Sequence, residues 1–127
     1  QKNHHHQYDL YEHCFKAAME LDSMCFDDND LVFIGGLMDT LLLHDVGKLF
    51  TQTEPDEKGD CHYYNHDNVG AYIALACGLP LFGSQLITYH MIPYMKDVKG
   101  LETWRKRMGS YFVHWLDIFH ICDKAGH

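Results

Sequence analysis

No apolar run in the chain approaches the ~20 residues needed to span a bilayer, and no segment shows the order of a signal peptide. The sequence thus predicts a cytoplasmic protein without a membrane partner. Paired cysteines are also missing. Cys14, Cys25, Cys61, Cys77 and Cys122 are odd in number, scattered, and form no Cys-x-x-Cys unit. That pattern argues against disulfides or a thiolate zinc site and predicts reduced, buried small hydrophobes. Positive charge is scarce: ten Lys and Arg against eighteen Asp and Glu give a net charge of −8, which argues against general electrostatic binding to nucleic acid. No strand pattern, internal repeat or low-complexity segment is present.

Histidine, by contrast, is abundant, with eleven in 127 residues. Neutral imidazole is the commonest transition-metal ligand, so the excess suits a metal site. His4 to His6 also read as a short tag remnant. The length predicts one domain, residues 1–127, and the start at Gln1 rather than Met fits a fragment of a longer protein.

All clear periodicity is helical. Asp9 with Glu12 reads as a capping box before a helix whose inner face is Leu10, Cys14, Ala17, Ala18, Leu21 and Met24. Asn29 or Asp30 caps a second helix with Ile34, Leu37, Met38, Leu41 and Leu42. It is apolar nearly all round and predicted to be central, with Gly47 placed to end it. Residues 50–61 read as a polar loop. A third helix is predicted from Asn65 to Cys77 with Val69, Ile73 and Ala76 inward, ended by Gly78. Pro80 starts a fourth that Pro93 stops. Residues 94–109 read as a basic loop containing Trp104, and Ser110 caps a last helix with Phe112, Trp115, Leu116 and Phe119 inward. The expected fold is an all-α bundle of five or more helices around a central metal site.

Several ionisable residues share those inner faces. His13 falls between Leu10 and Ala17, His44 and Asp45 follow Leu41, and His66 precedes Val69. His90 follows Leu86 and Ile87, and Asp123 follows Phe119. Five helices therefore each aim at least one metal-type ligand inward. So many buried, unpaired polar groups would cost several kcal/mol, a conflict that a bound metal resolves. Singly, His66 and His90 also read as hydrogen-bonded core residues, and Asp123 as a helix cap or a partner of Lys124. His62, His114 and His120 compete for ligand roles.

At Leu-Leu-Leu-His44-Asp45-Val-Gly-Lys48 the chain resembles the HD-domain metal-dependent phosphohydrolases. The likeness continues through Tyr-Glu-His13-Cys, Tyr-Asn-His66-Asp-Asn-Val-Gly-Ala, His90 and Ile-Cys-Asp123-Lys. In wording it is most similar to the HD domain of bacterial tRNA nucleotidyltransferases (CCA-adding enzymes). The resemblance implies a first metal site of His13, His44, Asp45 and Asp123, and a second of His66 and His90 with Asp45 bridging. It also implies a nucleotidyltransferase domain or a second copy of the chain as partner. Met91 stands where the cyclic-dinucleotide phosphodiesterases have a second histidine. Tyr94 stands where the phosphonate-cleaving oxygenases have lysine.

The implied activity is hydrolysis of a phosphoester, with Asp45 and Lys48 as catalytic residues and Lys48 offsetting phosphoryl charge. The weaker alternative for Lys48 is an ordinary cation at a helix C-terminus. Mixed imidazole and carboxylate ligands suit one or two ions of Mn, Fe, Co, Ni or Zn. Lys96, Lys99, Arg105, Lys106 and Arg107 cluster after His90, a solvated face or a reader of substrate. With Trp104 as a stacking surface, Arg105, Lys106 and Arg107 point to a nucleotide or RNA-end substrate, such as a 2′,3′-cyclic phosphate. The rival readings are a di-iron oxygenase and a non-catalytic, metal-braced module.

Overall fold

The first apolar stripe is buried where its spacing places it. In the computed structural model, which describes residues 7–127, Cys14, Ala17, Ala18 and Leu21 line the inner face of α1 (Gln7–Asp22). The helix starts two residues before Asp9, so Asp9 lies in the first turn and is not its N-cap. A carboxylate there still favours the positive end of the helix dipole. His4 to His6 lie outside the described residues.

A 3-10 turn (Asp28–Asp30) leads into α2 (Leu31–Leu43), with Asp30 at its N-cap. This helix buries Ile34, Leu37, Thr40 and Leu41 but exposes Leu31, Val32 and Leu42. It is therefore one-faced and not the wholly enclosed central helix expected. Gly47 does not end it. The helix stops at Leu43, and Gly47 has right-handed φ −59° at the N-cap of a short helix, α3 (Lys48–Thr51). The glycine serves close approach instead. A Cβ there would collide with the His66 carbonyl oxygen and lie 2.7 Å from the Gly70 amide nitrogen.

The polar loop is shorter than expected, since α3 takes residues 48–51. An isolated antiparallel bridge between Gln52 and Tyr63 pins its two ends together. Asn65, in the left-handed region at φ 61°, then turns the chain into α4 (His66–Ala76), a conformation asparagine tolerates better than most residues. The buried face of α4 is His66, Gly70, Ala71 and Ala74. The expected stripe was Val69, Ile73 and Ala76, of which Val69 and Ile73 are half-buried and Ala76 is exposed. Small residues let α4 lie close to the 44–47 turn and to Ile87.

Gly78, at φ 99°, ends α4, and Pro80 caps α5 (Leu81–Tyr89). A 3-10 turn (Ile92–Tyr94) contains Pro93. The expected basic loop is mostly a helix, α6 (Val98–Met108), with Arg105, Lys106 and Arg107 in its last turn. Gly109 occupies the N-cap of α7 (Ser110–Ala125), so Ser110 is its first residue and not its cap.

Seven α-helices and no strand make up the described residues, which is an all-α fold. The main core joins α1, α2, α5 and α7 through Ala18, Leu21, Leu41, Leu86, Leu116 and Phe119. No described helix is long and apolar enough to cross a membrane. Cys14 and Cys122 are buried as expected, whereas Cys25 and Cys77 are exposed and Cys61 is half-buried; none of the five is in a disulfide. Chain position put the exposed pair beyond the apolar faces, Cys25 after α1 and Cys77 at the C-cap of α4.

Candidate metal centre

Three imidazoles are fixed by the backbone beside them. His44 sits at the C-cap of α2 and its Nδ1 lies 2.6 Å from the Leu41 carbonyl oxygen. His90 repeats the arrangement at the C-cap of α5, 2.6 Å from the Ile87 oxygen. The carbonyls of a helix's last turn lack intrahelical partners, so each ring satisfies one. His66, opening α4, makes the same kind of bond to the Tyr63 oxygen at 3.1 Å. Because a carbonyl only accepts, Nδ1 carries a proton in all three, which leaves Nε2 as the nitrogen facing the interior.

Those Nε2 atoms converge on two aspartates. Asp123, in the last turns of α7, puts Oδ1 at 2.9 Å from both His13 Nε2 and His44 Nε2. Asp45 puts Oδ2 at 3.3 Å from His13 and 3.5 Å from His44. It turns Oδ1 the other way, 3.3 Å from His66 and 3.2 Å from His90. Two groups result, His13, His44, Asp45 and Asp123, and then Asp45, His66 and His90, each with its ligand atoms within 4.8 Å of one another.

The donor chemistry of these groups fits a cation. Ligands about 2.1 Å from a common ion lie roughly 3.0–3.4 Å apart at octahedral or tetrahedral angles, close to the separations found. The second group is the stronger case. His66 Nε2 and His90 Nε2 face each other at 3.4 Å, with both rings using Nδ1–H elsewhere. Two lone pairs so placed repel unless positive charge lies between them. This buried His and Asp cluster could therefore hold a metal ion.

Every sequence-predicted metal ligand is in one group or the other; His62, His114 and His120 are in neither. His62 pairs with Asp56 on the surface loop, His114 lies against Trp115, and His120 against Tyr94. Lys48 Nζ is 3.4 Å from Asp45 Oδ2 and 5.5 Å from the centre of the Tyr63 ring. Lys48 also lines a cavity of about 280 Å³ with Glu12, His13, Lys16, Gly126 and His127.

The α6 cations do not line that cavity. The Arg105 guanidinium donates to both Asp117 oxygens, at 2.9 and 3.1 Å. Arg107 instead borders a separate surface cavity of about 270 Å³ with Tyr89 and Trp104. Residues 98–108 fold as a helix and not a loop, and the cations of that helix are absent from the lining of the His13 cavity. Sequence reasoning missed Tyr94, whose hydroxyl donates to Asp123 Oδ2 at 2.7 Å, and His127, whose ring stacks on His13 at 4.9 Å. The signal for Tyr94 was its place four residues past His90.

No protein-family model, curated protein or solved structure matches the chain.

Electrostatics ties the imidazoles to the carboxylates. Burial disfavours a charged His13, but the Asp123 and Asp45 carboxylates outweigh it and lift its pKa to about 9. His44 is likewise raised against its burial, chiefly by Asp45 and then Asp123. Both carboxylates are held well below their usual range despite burial, Asp45 mainly by His44 and Asp123 mainly by His13.

The signs give a pH dependence for the metal-free protein. The raised His13 contributes stability that is complete below 6.5 and lost as pH rises toward 9. The lowered carboxylates contribute stability above 3.8 that is lost on further acidification. Thermal unfolding of chelator-treated protein should thus show its highest Tm between these limits and a lower one at pH 9. Metal binding at pH 7.5 must displace protons from His13 and His44, so its heat should depend on the buffer's ionisation enthalpy. Equal heats in phosphate and Tris would contradict the protonated metal-free centre.

Proposed function

We propose that the chain is a metal-dependent phosphohydrolase of the HD-domain type. It would act on a nucleotide or RNA-end phosphodiester, such as a 2′,3′-cyclic phosphate. The observation that carries this reading is the division of Asp45 between two ligand groups, one oxygen to each. A carboxylate shared by adjacent ligand sets suits paired divalent ions, an arrangement used to displace groups at phosphorus. Ions of the Mn, Fe, Co, Ni or Zn class, when bound, supply acidified water and polarise a phosphoryl oxygen.

The residues themselves hold and orient. His13, His44, Asp45 and Asp123 would ligate the first ion, and His66, His90 and Asp45 the second. The Nδ1 hydrogen bonds of His44, His66 and His90 keep their rings from turning. Lys48 sits beside Asp45 and opens on the cavity next to His13, where its ammonium can offset charge on a phosphoryl oxygen. Lys16 adds a second cation to the same cavity wall. Lys16 and Lys48 are thus better placed for a phosphate than Arg105, which Asp117 engages.

His66→Ala tests the paired-ion reading. The bound metal should fall from two equivalents toward one by elemental analysis. Turnover of a nucleoside 2′,3′-cyclic phosphate should drop by more than the roughly 10- to 100-fold seen when an outer partner of a ligand is lost. Unchanged stoichiometry and turnover would reduce His66 to a core residue. Turnover that needs dioxygen would replace the hydrolase with an oxygenase.

A further inference from the structure

The two carboxylates of the centre are presented differently. Asp45 faces imidazole nitrogens with both oxygens. Asp123 faces them with Oδ1 alone, while its Oδ2 accepts a 2.7 Å hydrogen bond from the Tyr94 hydroxyl. That length is characteristic of a hydroxyl donating to an anion. The donor is itself fixed. Tyr94 lies on the 3-10 turn that holds Pro93, its ring edge-on to His120 at 4.6 Å and near-parallel to His127 at 6.3 Å. Asp123 is 3% exposed on α7. Asp123 is enclosed and its Oδ2 is engaged by the Tyr94 hydroxyl, so the carboxylate is held in one rotation.

Taking the metal-centre reading as its basis, we infer that Tyr94 is a positioning residue. Its hydroxyl keeps Asp123 Oδ2 away from the first ion, so that Asp123 binds through one oxygen and a coordination position stays open toward the His13 and Lys48 cavity. A carboxylate free at both oxygens can bind one ion with both, and would fill that position. Tyr94 does not line the cavity, so its influence passes through Asp123.

The test is Tyr94→Phe, which deletes one oxygen atom and keeps the ring against His120. Loaded with Mn²⁺, the variant should carry as many ions as the wild type but show lower water-proton relaxivity, because fewer waters reach the metal. Its kcat on a small phosphodiester should fall about tenfold with KM little changed. His120→Ala removes one of the ring's two neighbours and spares the hydroxyl, so its relaxivity should fall by less than that of Tyr94→Phe. Unchanged relaxivity in Tyr94→Phe, or a fall in His120→Ala as large as that in Tyr94→Phe, overturns the positioning role and leaves the metal centre standing. Failure of the wild type to take up stoichiometric metal overturns both.

Discussion

Replacing Asp45 by alanine is expected to empty both ligand groups at once. Each group loses the only carboxylate they share: the first keeps His13, His44 and Asp123, and the second is left with two imidazoles. Elemental analysis after Mn²⁺ or Ni²⁺ loading should find no stoichiometric metal, and the proposed phosphodiesterase activity should fall to background. Stability should also change in the metal-free protein. Asp45 is 3% exposed and compensates His44, His13 and Lys48, and removing one partner of a buried charge pair costs about 3–5 kcal/mol. That loss should be largest near pH 6, where the imidazoles are protonated, and smaller at pH 9. Asp45→Asn keeps the volume and separates charge from packing. Two ions retained in either variant would rule out a bridging Asp45.

Gly47→Ala should be the most damaging change outside the ligands. The new Cβ meets backbone on three counts, the carbonyl carbon and oxygen of His66 and the amide of Gly70, and backbone cannot rotate aside as a side chain can. Relief requires α4 to withdraw from the turn after His44 and Asp45, taking His66 with it. Overpacking of this kind costs about 3 kcal/mol, or roughly 12 °C in Tm at about 4 °C per kcal/mol for a domain of this size. The metal count should drop toward one, because His66 leaves its distance from Asp45. A Gly47→Ala protein with wild-type Tm and full metal content would show that the close approach is dispensable.

The residues of the candidate metal centre were readable as inward-facing because they ride on helical stripes whose period is local. His13 follows Leu10 as Ala17 follows Cys14, and His90 follows Leu86 and Ile87, so their inward direction needs no tertiary knowledge. The stripe of α4 was not readable in the same way. Hydrophobicity ranked Val69 and Ile73 above Gly70 and Ala71, yet contact with the 44–47 turn selects for small size. Gly47 misled for a related reason: its lack of a side chain serves a neighbour distant in sequence, and its φ is ordinary. In α6 the run of charges obscured Leu101, Trp104 and Met108, which recur at helical spacing and are half-buried. The ion pair of Arg105 with Asp117 depends on how α6 meets α7, which no local pattern encodes.

One carboxylate serving two groups also makes their occupancies thermodynamically linked. Whatever factor the first ion imposes on the affinity of the second, the second imposes on the first. Its sign follows from charge. With Asp45 and Asp123 ionised and Lys48, His13 and His44 protonated, these five groups carry +1; a first dication that displaces both imidazole protons leaves them at +1, and a second brings them to +3. Filling should therefore be negatively cooperative, the second ion binding more weakly than the first. An anionic phosphoester lowers that total, so substrate and second ion would favour each other's arrival. Turnover would then track the free metal level over a higher concentration range than binding of the first ion alone.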